Sequence, residues 1–501
     1  MWLKKKTFVL LILLLMSYFL VACFNSSPFD KNTIKIYNNI DNTYIEHTLE
    51  SESFTTKELP NYSENERYFK GYSLSLDGEF LKNNKKLYTT ETKEIYAIFG
   101  IKKGSFKIET IPTIYISADK AITSKKEYVD ASFSILENGF YTLRAADVNI
   151  RIRGNSSSGV AKKSFKLKFD KKINIFGMGE DKEWALIANY FDPSHLRNYY
   201  AYKLAKLMGM EYAVDCQFVN VYLNGTYQGL YLFTETVKTS SNRVNIETNY
   251  TKDDYDIPFM LELDYKLEEN NPNYMDNLNI DFFLVDNKKY SGRTFQYAAQ
   301  YPKNFTSEYM TKKQFNYIKN YMTDTYESVS SGTYSFFIDL DSFIDYFLIQ
   351  ELFMNIDQEH SSVFVYKPQN DKLHFGPIWD FDLSTGNCRY VSNYDPYHSM
   401  KDVTGGNYLF TTLIKERPVR EQFLKRLHSI KSDIITDMLD SFEHNYKQLD
   451  LYQKQDNQRW NTLNQSNWAR PDYLTNLTYY EQVIYLKDYL YNHYHWMLHN
   501  M

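Results

Sequence analysis

The sequence predicts an α+β protein: a small all-β module, then a large domain that is β-rich in its first half and helical towards its end. Three observations predict it. Between residues 111 and 235, segment after segment alternates apolar and polar residues with period two, as half-buried strands do. Beyond Gly386 the apolar residues recur at helical spacing. Ahead of both, residues 33–102 hold short alternating runs separated by Asn, Asp and Gly, the pattern of strands joined by turns.

The N-terminus stands apart from these elements. Lys4, Lys5 and Lys6 form a basic start, "TFVLLILLLMSYFLV" is an apolar core, and small residues lead to Cys23, so residues 1–22 read as a secretory leader. "LVAC" resembles a bacterial lipobox. The resemblance implies that Cys23 is lipidated and becomes the first mature residue, anchoring an extracytoplasmic, cell-surface lipoprotein to the membrane. Residues 23–32 then form a polar tether.

The module at 33–102 has strands expected at 35–38, 69–75 and 95–99. With "YNN", "FKGYS" and "IYAIFG" it resembles the small β-grasp repeats of bacterial surface proteins. The large domain spans 105–501. Its strands are expected at 111–117, 130–136 and 148–169, followed by a helix in "DPSHLRNYYAYKLAKLMG" with Asp192 as cap, Pro193 at the first helical position and Gly209 at the end. Asn224-Gly225 joins two more β-runs as a hairpin. Residues 270–335 read only as loops and helices. The stripe Leu340, Phe343, Ile344, Phe347, Leu348 and Leu352 marks a core helix that delivers the chain to Asp357.

The formal charge is −5, from 57 basic and 62 acidic side chains, and loss of the leader's lysines makes the mature chain more acidic. Sequence-independent binding of nucleic acid, which depends on neutralising phosphates, is thereby disfavoured. Only Cys216 and Cys388 remain beyond Cys23, too few for a disulfide scaffold, so the fold must rest on its core.

Two aspartate clusters flank a predicted hairpin from Val363 to Ile378: Asp357 before it, Asp380 and Asp382 after it. A hairpin returns its ends to one edge of a sheet. Phosphoryl transfer can use such an arrangement: one Asp to orient the acceptor hydroxyl, another to hold Mg²⁺, and a phosphate-covering loop from the β-rich part. Hard carboxylate oxygens suit Mg²⁺, and no His or Cys cluster lies near.

Taken together and in order, "RIRGNSS", "KKSFKLKFDKK", "GMGEDKEWALIANYFDPSHLRN", "VYLNGTYQGLYLFTE", "LELD" and "GPIWDFDLSTGN" resemble the CotH kinase family, the spore-coat-protein-H-like atypical protein kinases, over residues 111–430. The resemblance implies a divergent, two-lobed protein-kinase-like fold that uses ATP and Mg²⁺ or Mn²⁺ to phosphorylate Ser or Thr of surface or coat proteins. Asp357 matches the catalytic aspartate and Asp380 the metal-binding one; Asp382 beside it fits either a further metal ligand or a residue that orients its neighbours by hydrogen bonding. Ser362 stands where many relatives keep an Asn that ligates a second metal. "RGNSSSGVAKK" corresponds to the phosphate loop, placing Arg153, Gly154, Asn155 and Lys163 near the nucleotide. Lys166, with Lys168 on the same strand face, is the nominee for an ATP-binding lysine. Glu235 is expected at the lobe junction, and Arg197 beside a carboxylate in the cleft. The lysines from 162 to 172 also fit a plain solvated strand face. Two alternatives stay open: a catalytically inactive kinase-like surface protein serving adhesion or envelope or spore-coat assembly, and an acidic metal site that hydrolyses phosphate esters.

Overall fold

In the computed structural model, residues 32–38, 43–60, 67–75, 81–82, 86–154, 156–246, 249–264, 282–287, 293–303, 305, 308–359, 361–389, 391, 394–463 and 467–501 are described. The leader, Cys23 and most of the tether lie outside them, as does Asn155. The chain divides into two units, Met1–Lys102 and Lys103–Met501.

In the first unit, β1 (Thr33–Asn38), β2 (Tyr44–Thr48), β4 (Arg67–Ser73) and β6 (Glu94–Ile101) form one sheet in the order β2-β1-β6-β4, while β3 (Ser53–Phe54) pairs with β5 (Leu87–Tyr88). The first and last strands run parallel at its centre. Their alternation supplies the core, with Ile34, Ile36, Ile95, Ala97 and Phe99 buried.

The second unit opens with seven strands, β7 (Thr113–Ala118), β8 (Val129–Glu137), β9 (Phe140–Arg153), β10 (Ser164–Asn174), β11 (Glu180–Ile187), β12 (Cys216–Leu223) and β13 (Thr226–Glu235). They close into a barrel in the order β10-β11-β13-β12-β7-β8-β9. Closure is not visible in the strand pattern, because it depends on one long-range parallel pairing, β7 beside β12. The period-two residues fill the interior: Ile114, Phe133, Ile150, Leu167, Trp184, Val219 and Phe233 are all buried in one cluster. At the β12–β13 turn Asn224 and Gly225 both take positive φ, 49° and 74°, as a two-residue hairpin of this type requires.

Helix α1 (Arg197–Met208) begins later than expected. Pro193 lies ahead of it, and Asp192 serves its start from a distance: Oδ2 accepts from Arg197 N at 2.9 Å and Oδ1 from Ser194 N at 3.0 Å. Gly209 ends the helix in the left-handed region, as expected.

A five-stranded sheet follows, ordered β15-β16-β14-β17-β18 from β14 (Phe259–Leu263), β15 (Phe282–Asn287), β16 (Arg293–Tyr301), β17 (Val363–Lys367) and β18 (His374–Phe375). Two of its strands fall in the stretch expected to hold only loops and helices. Helices α2 (Lys312–Ser331) and α3 (Leu340–Leu352) precede the β17–β18 hairpin; α4 (Met400–Thr404), α5 (Tyr408–Leu413), α6 (Arg417–Ser429), α7 (Thr436–Trp460) and α8 (Tyr479–Asn500) complete the helical end. Neither Cys216 nor Cys388 forms a disulfide. Among the described residues no helix is long and apolar enough to cross a membrane.

Candidate active site

The β17–β18 hairpin pairs Val365 with Phe375 and Tyr366 with His374, so the segments before and after it return to one place. Before it, α3 ends at Leu352 and a short turn, Ile356–Glu359, carries Asp357. That turn is held by Asp357 N donating to Asn355 Oδ1 at 3.2 Å and Ser361 N donating to Asp357 O at 2.8 Å. After it, Asp380 adopts φ 63°, an uncommon conformation for a residue with a side chain, and Ser362 does the same at φ 56°. Such strain persists only where neighbours over-determine it. Here the first two turns of α1 do so for Asp380: Phe381 N donates to Asn198 Oδ1 at 2.8 Å, and Asp380 N lies 3.4 Å from the Tyr202 hydroxyl. Asn387 Nδ2 donates to Asp382 O at 2.7 Å and to Phe191 O at 2.8 Å, fastening the far end of the same loop.

These segments border a cavity of about 900 Å³. Asp357, Ser362, Asp380 and Asp382 line one part of it; Arg153, Gly154, Ser157 and Lys166, from the barrel strands β9 and β10 and the segment between them, line another. The sequence-predicted core of the site therefore does converge. Arg153 lies 5.0 Å over the Trp379 ring, which stacks on Tyr202 at 5.6 Å, so two aromatic rings under the cavity set the guanidinium's position. Burial pulls the Arg153 pKa down while Asp380, Tyr202 and Glu262 support its charge.

The carboxylates outnumber that cation. Burial, then the charges of Asp380 and Asp357, push the Asp382 pKa well above the usual carboxylate range. Glu262 on β14 lines the same cavity, and burial together with Asp264 and Asp380 pushes it up to about 8, against the pull of Arg153. Its Oε2 accepts from Gln300 Nε2 at 2.7 Å. Sequence reasoning quoted "LELD" but did not single out Glu262. The signal available was a lone acidic residue inside an otherwise apolar strand.

Other predicted residues have partners of their own. Arg197 is fully buried and its carboxylate partner is Asp192, at 2.6 Å, not a cleft aspartate. It also donates to Ser384 O and Thr385 Oγ1, at 3.0 and 2.8 Å, so it props the Asp380–Asn387 loop from behind. Glu235 borders a separate, smaller cavity and pairs with Arg243 at 2.5 Å; burial pushes it up to about 7. Lys163 Nζ donates to Ser158 O at 2.8 Å. Lys166 pairs with Glu183 at 3.0 Å at the cavity's edge, and Lys168 is exposed. Asn155 and Cys23 fall outside the described residues.

Among the described residues no group of three or more His, Cys, Asp or Glu side chains is arranged to hold a metal ion unaided. The donor chemistry nonetheless fits a divalent cation. Asp380 and Asp382 offer hard oxygens within one cavity, and Mg²⁺ characteristically takes one or two carboxylates plus waters and substrate phosphate oxygens.

The family model described as CotH kinase protein matches residues 150–497, a span that includes Arg153, Glu262, Asp357, Asp380 and Asp382. No curated protein matches the chain significantly.

Proposed function

This chain belongs to the CotH kinase family, whose membership points to atypical kinase or spore-coat-related function, and on that premise we propose that it transfers the γ-phosphoryl group of ATP to Ser or Thr of a surface or coat protein. Kinases as a class use a nucleotide and a divalent cation. The observation that carries the reading is the convergence of Asp357, Asp380, Asp382 and Glu262 opposite Arg153 in one cavity.

In this mechanism Asp357 accepts the proton of the acceptor hydroxyl as its oxygen bonds to the γ-phosphorus; the bond from that phosphorus to the bridging oxygen breaks and ADP leaves. Arg153 binds phosphate oxygens as a fork of donors pre-set by Trp379. A divalent cation held by Asp380 and Asp382, Mg²⁺ or Mn²⁺, would supply neutralising charge to the phosphates. Gly154, at φ 98°, gives the segment after β9 a turn that a residue with a side chain would strain to adopt. A division into β-rich and helical lobes, with the cavity between, belongs to the same proposal.

The test is transfer of γ-labelled phosphate by the full chain to casein, histone and itself. Label should appear with Mg²⁺ or Mn²⁺, vanish with a chelator, and fall by about 10²–10⁴-fold in Asp357→Ala. Phosphate release without an acceptor would instead favour hydrolysis. Ser362, at the position where an Asn is expected, favours a second reading, a catalytically inactive scaffold for adhesion or coat assembly. Absence of both transfer and a Mg²⁺–ATP thermal shift would select it. We further place the protein at the cell surface, anchored through Cys23; Cys23→Ala should abolish incorporation of labelled fatty acid and release the protein from membranes.

A further inference from the structure

Lys162 ends the Ser/Gly segment whose other end, at Gly154 and Ser157, borders the cavity. Its side chain is fully buried. The ammonium is 2.7 Å from Asp456 Oδ1, donates to Leu230 O at 2.6 Å, and lies 4.7 Å over the Tyr231 ring. Asp456, equally buried, comes from α7 some 300 residues later, and the same Oδ1 accepts from Leu230 N at 2.9 Å.

Space for that carboxylate is made by Gly229 on β13. Gly229 has φ 118°, and a Cβ there would collide with Asp456 Oδ1. One helical turn on, Trp460 Nε1 donates to Gln228 O at 2.7 Å, so α7 is fixed to β13 on both sides of the glycine. Next to the joint, the Tyr231 hydroxyl donates to Lys163 O at 2.9 Å, and Lys163 Nζ returns to Ser158 O at 2.8 Å. The other oxygen, Asp456 Oδ2, is 3.9 Å from Nε2 of the buried His195, in the turn entering α1. Asn189, Tyr190 and Phe191 of that turn line the cavity. One carboxylate thus ties the segment's end and a barrel strand to the C-terminal helices, and packs beside a cavity-lining turn.

Stability alone is a poor reason for this pair. Desolvating two charges costs several kcal/mol per ion, of the order of what their attraction returns, and a neutral replacement of similar volume is often no less stable. Holding a ligand-facing segment in its bound conformation beforehand, by contrast, removes an ordering cost from binding. We propose that Lys162 and Asp456 are a positioning pair that, from outside the cavity, fixes the Ser156–Lys163 segment so that its cavity end meets nucleotide phosphates, an inference that rests on the kinase reading.

The test uses the full chain carrying Lys162→Met with Asp456→Asn. The double change removes both charges and keeps an acceptor for Leu230 N, whereas Lys162→Met alone strands a buried carboxylate, at a cost that threatens folding itself. Hydrogen exchange without ligand is expected to quicken about tenfold across 156–163 while 226–235 stays protected. In the same variant KM for ATP should rise about tenfold with kcat within about threefold of the parent, the pattern of lost binding rather than lost chemistry. Unchanged exchange at 156–163 overturns the clamp whatever the protein's activity. Faster exchange with an unchanged KM overturns its service to phosphate binding. A parent chain with neither transfer nor a nucleotide thermal shift sinks the kinase reading and the phosphate part of this one, and the exchange result then decides the clamp by itself.

Discussion

Two clusters of buried charge sit close together along the Asp380–Asn387 loop and could hardly differ more. Behind the loop, Asp192 and Arg197 are fully buried, 2.6 Å apart, and their remaining donors and acceptors engage Ser194, Ser384 and Thr385. In front of it, Asp357, Asp380, Asp382 and Glu262 share a cavity with Arg153, and two of the four are pushed towards the protonated form. The first cluster is balanced and closed, which is the signature of structure. The second crowds carboxylates together beside one buried guanidinium at an open cavity, which is what a site for a cation-bearing anion requires.

The largest expected effect breaks the comparison from the front. Asp380→Asn should reduce phosphoryl transfer by about 10²–10⁴-fold, in the range for a lost catalytic group. Because it relieves repulsion on Asp382, it should leave the melting temperature of the ligand-free protein unchanged or higher. A variant that loses activity only because it unfolds would place Asp380 in the structural cluster instead. Differential scanning fluorimetry beside the transfer assay separates the two.

From behind, the expectation inverts. Arg197→Met leaves Asp192 buried without its cation, and removing one partner of a buried pair costs about 3–5 kcal/mol. Urea unfolding should report that loss directly, with activity falling only as far as the Asp380–Asn387 loop loosens. Preserved stability with lost activity would mean that Arg197 serves the cavity after all.

The difference between these clusters also marks what was legible in the sequence. Asp357 and Asp380 could be found because a hairpin with clear alternation stands between them, and local periodicity is enough to predict that its ends meet. Most barrel strands were legible for the same reason, β11 (Glu180–Ile187) being the one not expected, and the Asn224-Gly225 turn because only a few residue types tolerate its φ values. What escaped depends on distance along the chain: barrel closure through β7 and β12, Glu262 entering the cavity from β14, and Asp456 meeting Lys162. Arg197 shows the same limit. Its spacing after Asp192 suggests a helix start, but whether its guanidinium faces the cleft or its own capping carboxylate is decided by packing against Ser384 and Thr385, nearly 190 residues away.

A smaller effect sharpens the contrast by supplying burial without a surplus of close like charges. Glu351 on α3 is buried outside the cavity, accepts from Met400 N at 3.1 Å, and is pushed up to about 8 chiefly by burial, from an ordinary 4.5. A carboxyl whose folded pKa is raised binds its proton more tightly in the folded state, so its contribution is complete below about pH 4.5 and is lost as the pH rises towards 8. His493, pulled down to about 4 by burial, acts in the opposite sense, but only between that value and its ordinary 6.5. Between pH 6.5 and 8 the difference between parent and Glu351→Gln therefore isolates the glutamate. The parent should lose about 1–2 kcal/mol more than the variant across that interval, within the 1.36 kcal/mol per unit that linkage allows. Parallel curves for the two proteins would mean that Glu351 stays ionised when buried, and that burial alone is too weak here to account for the raised pKa of Asp382, leaving the charges of Asp380 and Asp357 as its cause.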